Sequence, residues 1–371
     1  MLYPRNPNSF LMHTKKKIII AAHDAGGMDS LLPVLGRLFK DSSYEVTCLA
    51  HGPAKKLLDR QQYRYADADT LNEIELGMLV QDLHPDLILT GTSSGITIEK
   101  KLLKIAQAKK IPNVAIIDFW INYNLQFSFN PLGRMQPEDL PDYILVMDDL
   151  AKREMIAEGF PKDKLIITGN PHFENFQEFP PLPGPVKTIA FIDQPFSDLK
   201  EKGFHENMGF DELEVLRDLL RALTELNFQG EIIVKFHPSV QNRAKYDELA
   251  RSSSISVVRD NKESLDAVLA KSHIIIGMTS MALFEAALGG KTVISYQPHP
   301  ERIPDPLITN RLGLSHFAYT DEDFKRILSE DIKFPEQNNV SKKLVESYTK
   351  SGATLKVIQV IDKMMNNSKA K

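Results

Sequence analysis

The chain has 371 residues, of which 42% are hydrophobic and 25% charged, and its formal net charge is −4. That composition is typical of an ordinary globular protein with about two domains, and the slight negative charge argues against a general nucleic-acid binder. Cys48 is the single cysteine, which excludes an intramolecular disulfide, and its apolar neighbours predict that it is buried. No apolar stretch reaches the ~18 residues that a membrane-spanning helix needs.

Apolar runs alternate with amphipathic segments along most of the chain, which predicts parallel sheets covered by helices. In the first half, strands are expected at 17–22, 44–50, 86–90, 114–118, 143–147 and 165–168, with helices at 29–39, 71–83, 98–109 and 149–159. Residues 179–185 then carry four prolines in seven positions, which is typical of a domain linker. The pattern restarts with strands at 188–192, 231–236, 255–258, 274–277 and 292–296 and helices at 211–226, 264–271, 281–288 and 321–328. A long helical pattern over 340–365, interrupted at Gly352, follows.

The residues directly after the first strand are candidates for a site, because open parallel sheets bind ligands beyond the carboxyl ends of their strands. Gly26 and Gly27 either let a ligand approach the backbone or form a tight turn. Asp24 either caps the next helix or accepts a proton from an attacking hydroxyl. Consecutive residues of an extended chain point to opposite faces, so we expect only one of His23 and Asp24 to face the ligand. We choose Asp24 as the base, with His23 as its substitute, because a carboxylate is ionised at neutral pH.

Two further strand ends in the first half carry polar candidates. The hydroxyls of Thr92, Ser93 and Ser94 lie between glycines and could bind sugar or phosphate oxygens. Asp118 ends the fourth expected strand. It is the next candidate for a base if neither residue after the first strand acts.

The second half carries candidate phosphate-binding residues. Thr279 and Ser280 lie at the start of a predicted helix, where free N–H groups and the helix dipole attract anions, and Glu285 follows one turn later, within reach of a ribose. The alternative is that the two hydroxyls only cap the helix and Glu285 faces water. His237 and Lys235 end another strand and could bind a diphosphate, although a lone histidine is more often structural.

Together these segments resemble the nucleotide-binding half of the GT-B superfamily, which holds glycosyltransferases and the non-hydrolysing UDP-GlcNAc 2-epimerases. In both, a His-Pro after a strand is followed by a small polar turn, a helix with glutamate, then glycine and a strand. The matching segments here are His237-Pro238, Met278-Thr279-Ser280, Glu285-Ala286-Ala287 and Gly289-Gly290-Lys291-Thr292-Val293. Residues 165–171, LIITGNP, resemble the end of the first domain in these proteins, and residues 191–195, FIDQP, resemble the opening of the second domain in bacterial CMP-sialic acid transferases.

The resemblance implies an α/β protein of the GT-B fold, with two Rossmann-like parallel-sheet domains facing a central cleft. Residues 1–179 would form the acceptor domain and residues 186–339 the nucleotide-sugar-binding domain. The C-terminal helix, within residues 340–371, would cross back to the first domain.

The resemblance also implies an inverting, metal-independent glycosyltransferase without a cofactor. The donor would be a CMP-ulosonic acid of the sialic acid or Kdo type, or a UDP-sugar, and the acceptor a bacterial surface glycan or lipid-linked glycan. The donor-binding residues would be His237, Lys235, Thr279, Ser280, Glu285 and Gln194. The acceptor-binding residues would be Gly26, Gly27, Thr92, Ser93, Ser94 and Asp118, with Asp24 and His23 catalytic.

Two other functions fit the same pattern: a sugar-nucleotide epimerase or hydrolase, and a catalytically silent binding module. The epimerases carry an HVEAGLR-type segment after the fourth strand, whereas residues 117–122 here read IDFWIN, without that glutamate, which counts against epimerisation. We expect the protein in the cytoplasm, where it could associate peripherally with the inner face of the membrane, and we expect no nucleic-acid partner.

Overall fold

The structure is a computed structural model that describes residues 15–130, 135–174, 176–201, 208–237, 240, 243–260, 262–301, 305–335 and 341–368. The chain divides into two compact units. Unit 1 consists of Met1–Glu174 with Lys350–Lys371, and unit 2 of Asn175–Thr349.

Unit 1 is built on a seven-stranded parallel sheet of order β3-β2-β1-β4-β5-β6-β7. Its strands are β1 Lys16–Ala22, β2 Tyr44–Ala50, β3 Ala66–Asp67, β4 Leu87–Thr90, β5 Asn113–Ile116, β6 Tyr143–Val146 and β7 Leu165–Ile167. Its helices in this part of the chain are α1 Ala25–Lys40, α2 Ala54–Arg60, α3 Glu73–Leu83, α4 Ile98–Lys109, α5 Tyr123–Phe127 and α6 Asp149–Ala157. Three short 3-10 helices occupy Pro137–Asp139, Lys162–Lys164 and Pro171–Phe173.

Unit 2 is built on a six-stranded parallel sheet of order β10-β9-β8-β11-β12-β13. Its strands are β8 Thr188–Ile192, β9 Glu231–Lys235, β10 Ser256–Asp260, β11 Ile274–Gly277, β12 Thr292–Tyr296 and β13 His316–Ala318. Its helices are α7 Phe196–Glu201, α8 Glu212–Glu225, α9 Ala244–Ser252, α10 Leu265–Lys271, α11 Met281–Leu288, α12 Ile308–Leu312, α13 Asp321–Lys333 and α14 Lys342–Thr349.

The last helix, α15 Ala353–Ser368, belongs to unit 1. The helical segment is interrupted between α14 and α15 at Gly352, whose φ of +65° suits a glycine. Asp362 on α15 accepts hydrogen bonds from Lys16 at 2.6 Å and from Tyr44 at 2.7 Å, which ties the helix to β1 and β2. The predicted interruption at Gly352 is therefore confirmed, and the predicted return of the C-terminal helix to the first domain is confirmed for α15, whereas α14 belongs to unit 2.

The central strands of unit 1 are apolar on both faces, which is why they read as continuous hydrophobic runs. Ile18 and Ile20 of β1 point to one face, into an apolar cluster shared with α1 and α15. Ile19 and Ala21 point to the other face, into a cluster shared with α3 and α4. This alternation fixes the register of β1 and leaves its carboxyl end free to carry polar residues.

The strand order reverses at one place in each sheet, between β1 and β4 in unit 1 and between β8 and β11 in unit 2. Such a switch point opens a crevice beyond the carboxyl ends of the two strands, because the connections leave in opposite directions. The residues that follow these four strands are therefore the ones best placed to bind a ligand.

Several predicted boundaries were wrong in ways that bear on the site. Helix α1 begins at Ala25 rather than near residue 29, so Gly26 and Gly27 lie in its first turn and not in a loop. Strand β5 ends at Ile116, which leaves Asp118 beyond the strand. The pattern also missed the shorter elements, namely β3, α2, α5, α7, α9, α12 and β13.

The proline-rich segment, residues 179–185, lies wholly within unit 2, and the division between the units falls before Asn175. Phe179 holds the segment there: its N–H donates to the carbonyl of Gly289 at 2.9 Å, and its ring lies 5.5 Å from the ammonium of Lys291. Within the ranges that the structure covers, no helix has the length and apolar character needed to cross a bilayer.

Candidate functional site

His23 and Asp24 form a hydrogen-bonded pair at the carboxyl end of β1. Nδ1 of His23 lies 2.6 Å from Oδ1 of Asp24, and the two side chains are 25% and 42% exposed. Asp24 is the N-cap residue of α1, with an extended backbone, but its side chain makes no capping hydrogen bond. The bond from Asp24 raises the pKa of His23 above its ordinary value, against the opposing effect of burial.

The alternation of faces that we used to separate these two side chains does not apply to them, because they hydrogen-bond each other. Alternation of faces holds within a strand, but β1 ends at Ala22 and the chain turns into α1 at Ala25. The two residues between these elements are free of the strand geometry, so their side chains can meet. The pair must therefore be treated as one proton-binding group.

Two residues that the sequence reasoning missed surround this pair. The carboxylate oxygen Oε1 of Glu99, on α4, accepts the main-chain N–H of His23 at 2.7 Å, and Glu99 is only 2% exposed. The ring of His51, which follows β2, lies 4.7 Å from the ring of His23 between centroids. Neither stood out because Glu99 reads as one polar position of an amphipathic helix and His51 as an ordinary loop residue. Only the pairing of β1 with β2 and the packing of α4 bring them to His23.

Asp118 lies against the first turn of α1. A Cβ atom added to Gly26 would fall 2.2 Å from Oδ2 of Asp118, so glycine is what makes room for this carboxyl group. Burial raises the pKa of Asp118 to about 7, and the charge of Asp24 adds to the effect. Asp24 and Asp118, both predicted as site residues, are thus brought into one cluster.

The hydroxyl residues after β4 are mostly committed to internal bonds. Thr92 is 3% exposed, and its hydroxyl contacts the side-chain oxygens of Gln126 and Asp118, the latter at 3.4 Å. Ser93 is 4% exposed and its hydroxyl lies 2.6 Å from that of Thr97. Ser94 is exposed. Of the three predicted acceptor-binding residues, only Ser94 is therefore exposed to solvent. The hydroxyl of Thr92 hydrogen-bonds Asp118 instead.

Gly27 allows the start of α1 to pack closely against the end of β4. A Cβ atom on Gly27 would lie 3.1 Å from the carbonyl oxygen of Thr92, and one on Gly91 would lie 2.9 Å from Cα of Gly27. The two glycines let the start of α1 approach the end of β4. That close approach is what brings the residues after β1 and after β4 together at the switch point.

In unit 2 the structure brings Gln194 and Thr279 together. Gln194 follows β8 and Thr279 follows β11, the two strands of the switch point. Oε1 of Gln194 accepts the main-chain N–H of Thr279 at 2.8 Å, and Nε2 donates to its hydroxyl at 3.1 Å. Ser280 is the N-cap of α11, and its hydroxyl accepts the N–H of Ala282 at 3.3 Å. The predicted cap is therefore present, and Glu285, partly exposed, lies one turn further along the helix.

Lys235 and His237 lie at the carboxyl end of β9, next to β8. The ammonium of Lys235 donates to the carbonyl of Glu263, so its charge is directed to the segment before α10. His237 is exposed, and its main chain hydrogen-bonds the carboxyl group of Asp193. Asp193, which the sequence reasoning missed, is 1% exposed and accepts the Tyr246 hydroxyl at 2.6 Å. Burial raises the pKa of Asp193 to about 6.

No protein-family model and no curated protein matches the chain. Solved structures do match over nearly its whole length. A putative UDP-N-acetylglucosamine 2-epimerase from Listeria monocytogenes has a TM-score of 0.70 at 13% identity, covering 95% of this chain and 98% of its own. The UDP-GlcNAc 2-epimerase from Neisseria meningitidis, bound to UDP-GlcNAc, has a TM-score of 0.66 at 16% identity, covering 94% and 100%. MurG from Acinetobacter baumannii has a TM-score of 0.59 at 15% identity, covering 94% and 99%.

The chain has the GT-B fold. The fold that the resemblance implied is thereby confirmed, including the two parallel-sheet domains. At these identities the likeness concerns the fold alone, and the GT-B structures that match include both epimerases and glycosyltransferases. The function must therefore be argued from the residues that this chain places at its two switch points.

Proposed function

We propose that the protein is an inverting glycosyltransferase that takes a sugar from a nucleotide-sugar donor and needs no metal ion. The observation that carries this proposal is the His23–Asp24 pair, bonded at 2.6 Å and partly exposed beyond the carboxyl end of β1. A positioned carboxylate or imidazole can remove a proton from a hydroxyl, and here the two groups are hydrogen-bonded to each other. An acceptor hydroxyl needs such a group, because it is a poor nucleophile until its proton leaves.

The reaction follows from this assignment. The acceptor oxygen attacks the anomeric carbon of the donor sugar, and its proton passes to the pair. The bond between the anomeric carbon and the phosphate oxygen breaks, and the nucleotide leaves with the electron pair. Attack from the side opposite the leaving group inverts the anomeric configuration. Asp24 remains the proposed proton acceptor, with His23 hydrogen-bonded to its other oxygen.

The pair can accept this proton only while the imidazole of His23 is neutral. When His23 is already protonated, the imidazole cannot take the proton, and the carboxylate of Asp24 is paired with a positive charge. This holds whichever of the two side chains takes the proton. Activity should therefore depend on the pKa of His23, which the Asp24 bond raises.

Unit 2 supports the donor half of the proposal. Helix α11 begins directly after Ser280, so its N-terminal N–H groups and its dipole favour a negatively charged group there. Gln194 and Thr279 hold each other in place beside that helix end. We assign the donor phosphate to Thr279, Ser280 and His237, and the ribose to Glu285. Lys235 is the weakest member of the predicted set, since its ammonium is bonded to Glu263.

A second candidate, a sugar-nucleotide epimerase, is favoured by Asp118. A carboxyl group whose pKa is raised to about 7 can both release and take up a proton near neutral pH, which epimerisation requires. Asp118 is also close to Asp24, whose charge contributes to the shift. This candidate predicts that a nucleotide sugar is converted without any acceptor.

A donor screen separates the candidates. The protein would be incubated with UDP-GlcNAc, other UDP-sugars, CMP-sialic acid and CMP-Kdo, with and without glycan and lipid-linked glycan acceptors, and the products followed by NMR. A transferase forms a new glycosidic bond of inverted configuration, only with acceptor, and keeps its activity in EDTA. Acceptor-independent change in the sugar supports the epimerase, and binding without turnover supports a silent module. Retention of configuration would contradict the proposed mechanism.

A further inference from the structure

A buried carboxylate, Glu99, lies beside the proposed base and has no part in the reaction as described. It occupies the first turn of α4 and is 2% exposed. Its Oε1 accepts the main-chain N–H of His23 at 2.7 Å. Burying a carboxylate is costly unless strong bonds compensate, so its place here calls for a physical reason.

Two geometric features favour an ionised Glu99. The 2.7 Å bond to His23 falls in the range of charge-assisted hydrogen bonds. The first turn of α4 is where the helix dipole favours negative charge. Burial is the largest effect and raises the pKa of Glu99 above its ordinary value, so its charge during the His23 transition is part of the proposal and is tested directly below.

We propose that Glu99 is a positioning residue for the His23–Asp24 pair: its carboxylate holds the main chain of His23 and its charge favours the protonated imidazole. This inference rests on the proposed function only for its catalytic consequence, since it concerns the pair itself. The catalytic consequence is that Glu99 adjusts the pH at which the pair can take a proton from the acceptor hydroxyl.

The other charged groups around His23 do not replace this contribution. Asp24 acts through its direct bond and its charge, and Glu99 is the next source of negative charge, ahead of Asp69. His51 faces the ring of His23 from the end of β2, and its own pKa is lowered by burial and by the nearby charge of His23. Lys55 and Lys101 act on His51 with smaller effects.

The experiment is a histidine NMR titration of the full chain, with the His23 signal assigned from His23→Gln. Glu99→Gln keeps an oxygen that can accept the His23 N–H but removes the charge, so a purely structural role would be preserved. We expect the pKa of His23 to fall by about 0.5–1 unit in Glu99→Gln. His316, which is paired with Asp331 at 2.8 Å in unit 2, should titrate as in the native protein.

Glu154→Gln is the matched control, because Glu154 is another carboxylate of unit 1 that accepts a hydrogen bond, from Tyr123 at 2.9 Å. It should leave the pKa of His23 unchanged. An unchanged His23 titration in a folded Glu99→Gln protein overturns the proposal. If that variant does not fold, the carboxyl carbon of Glu99 is titrated in the native protein: Glu99 should be ionised throughout the His23 transition, and a protonated Glu99 there overturns the proposal. Neither measurement needs a substrate, so they can fail or succeed independently of the donor screen.

Discussion

Nδ1 of His23 lies 2.6 Å from Oδ1 of Asp24, although the two residues are adjacent in the chain. Adjacent side chains meet in this way only where regular structure is interrupted, and here β1 has ended and α1 has not yet begun. Helix α1 therefore starts without a side-chain cap from Asp24. A capping bond typically stabilises a helix by ~1 kcal/mol. The carboxylate of Asp24 bonds His23 instead, so α1 lacks that stabilisation.

Replacing Asp24 by asparagine should stop the proposed transfer without disturbing the donor. Asp24→Asn keeps the shape of the side chain and removes its basicity. We expect turnover to fall by about a hundredfold or more while the donor dissociation constant changes by only about a few-fold. Single-turnover kinetics and nucleotide titration measure the two quantities separately.

The companion variants decide whether the pair acts as one group. If it does, the double variant Asp24→Asn with His23→Gln should be no slower than the slower single variant, because groups that act together are not additive. Near-normal turnover in Asp24→Asn with loss of activity in His23→Gln would move the base to His23. Normal turnover in both would leave Asp118 as the next candidate.

The pH dependence should report the His23–Asp24 pair. The folded pKa of His23 is raised, so kcat/KM should fall as the pH is lowered through a value above about 6.5, the ordinary pKa of histidine. The same shift stabilises the fold below the unfolded pKa, and this contribution is lost as the pH rises through the folded pKa. His23→Gln should therefore cost more stability at pH 5.5 than at pH 8.5 in urea unfolding. An equal loss of stability at pH 5.5 and pH 8.5 would contradict the proposed effect of the His23–Asp24 bond.

The sequence was sufficient for the fold because its signals are local. The runs at Ile18–Ile20 and Ile274–Ile276 identify buried parallel strands, and Ser280 before an apolar helix identifies a cap that the structure shows. Thr279 was predicted from its place between a strand and a helix, and Gln194 from the resemblance of residues 191–195 to the opening of a second domain.

Other parts of the site could not be predicted, because they depend on which strands are neighbours. Glu99 and His51 reach His23 from α4 and from the end of β2, which the pattern of a single helix or loop does not indicate. Thr92 was predicted to bind the acceptor because it lies in a segment rich in hydroxyl residues. Its burial and its contact with Gln126 depend instead on the packing of α5.

Gly26→Ala should displace Asp118 even though alanine is the better helix former. The new Cβ would lie 2.2 Å from Oδ2 of Asp118, so the carboxyl group must move or the start of α1 must shift. We expect lower stability and a changed pKa of Asp118, measured by urea unfolding and carboxyl NMR. Gly77→Ala in α3 is the control, because no atom of the described residues lies within 4 Å of its added Cβ. That variant should gain about 0.5–1 kcal/mol. A stabilised Gly26→Ala would contradict the close contact.

Glu285→Ala tests the ribose assignment. Loss of a hydrogen bond with a charged partner should weaken donor binding by about 1–3 kcal/mol, and folding should be nearly intact because Glu285 is partly exposed on α11. Isothermal titration with the nucleotide found in the donor screen measures donor affinity, and thermal unfolding measures stability. Glu322→Ala, in the first turn of α13, removes an exposed carboxylate elsewhere in unit 2 and should leave both unchanged. Normal nucleotide binding by an unfolding-prone Glu285→Ala would show that Glu285 is structural.

The sharpest test of the donor site uses Gln194. Gln194→Glu keeps an oxygen that can accept the main-chain N–H of Thr279, which Gln194 now does at 2.8 Å, but it adds a negative charge beside the start of α11. If a donor phosphate binds there, we expect its dissociation constant to rise by about tenfold or more, and the penalty to shrink in high salt. Gln229→Glu makes the same change at an exposed residue near the amino end of β9 and should have little effect. Uridine or cytidine without phosphate should bind Gln194→Glu and the native protein alike. A phosphate-bearing donor that does not distinguish the two proteins would place the phosphate elsewhere in the chain.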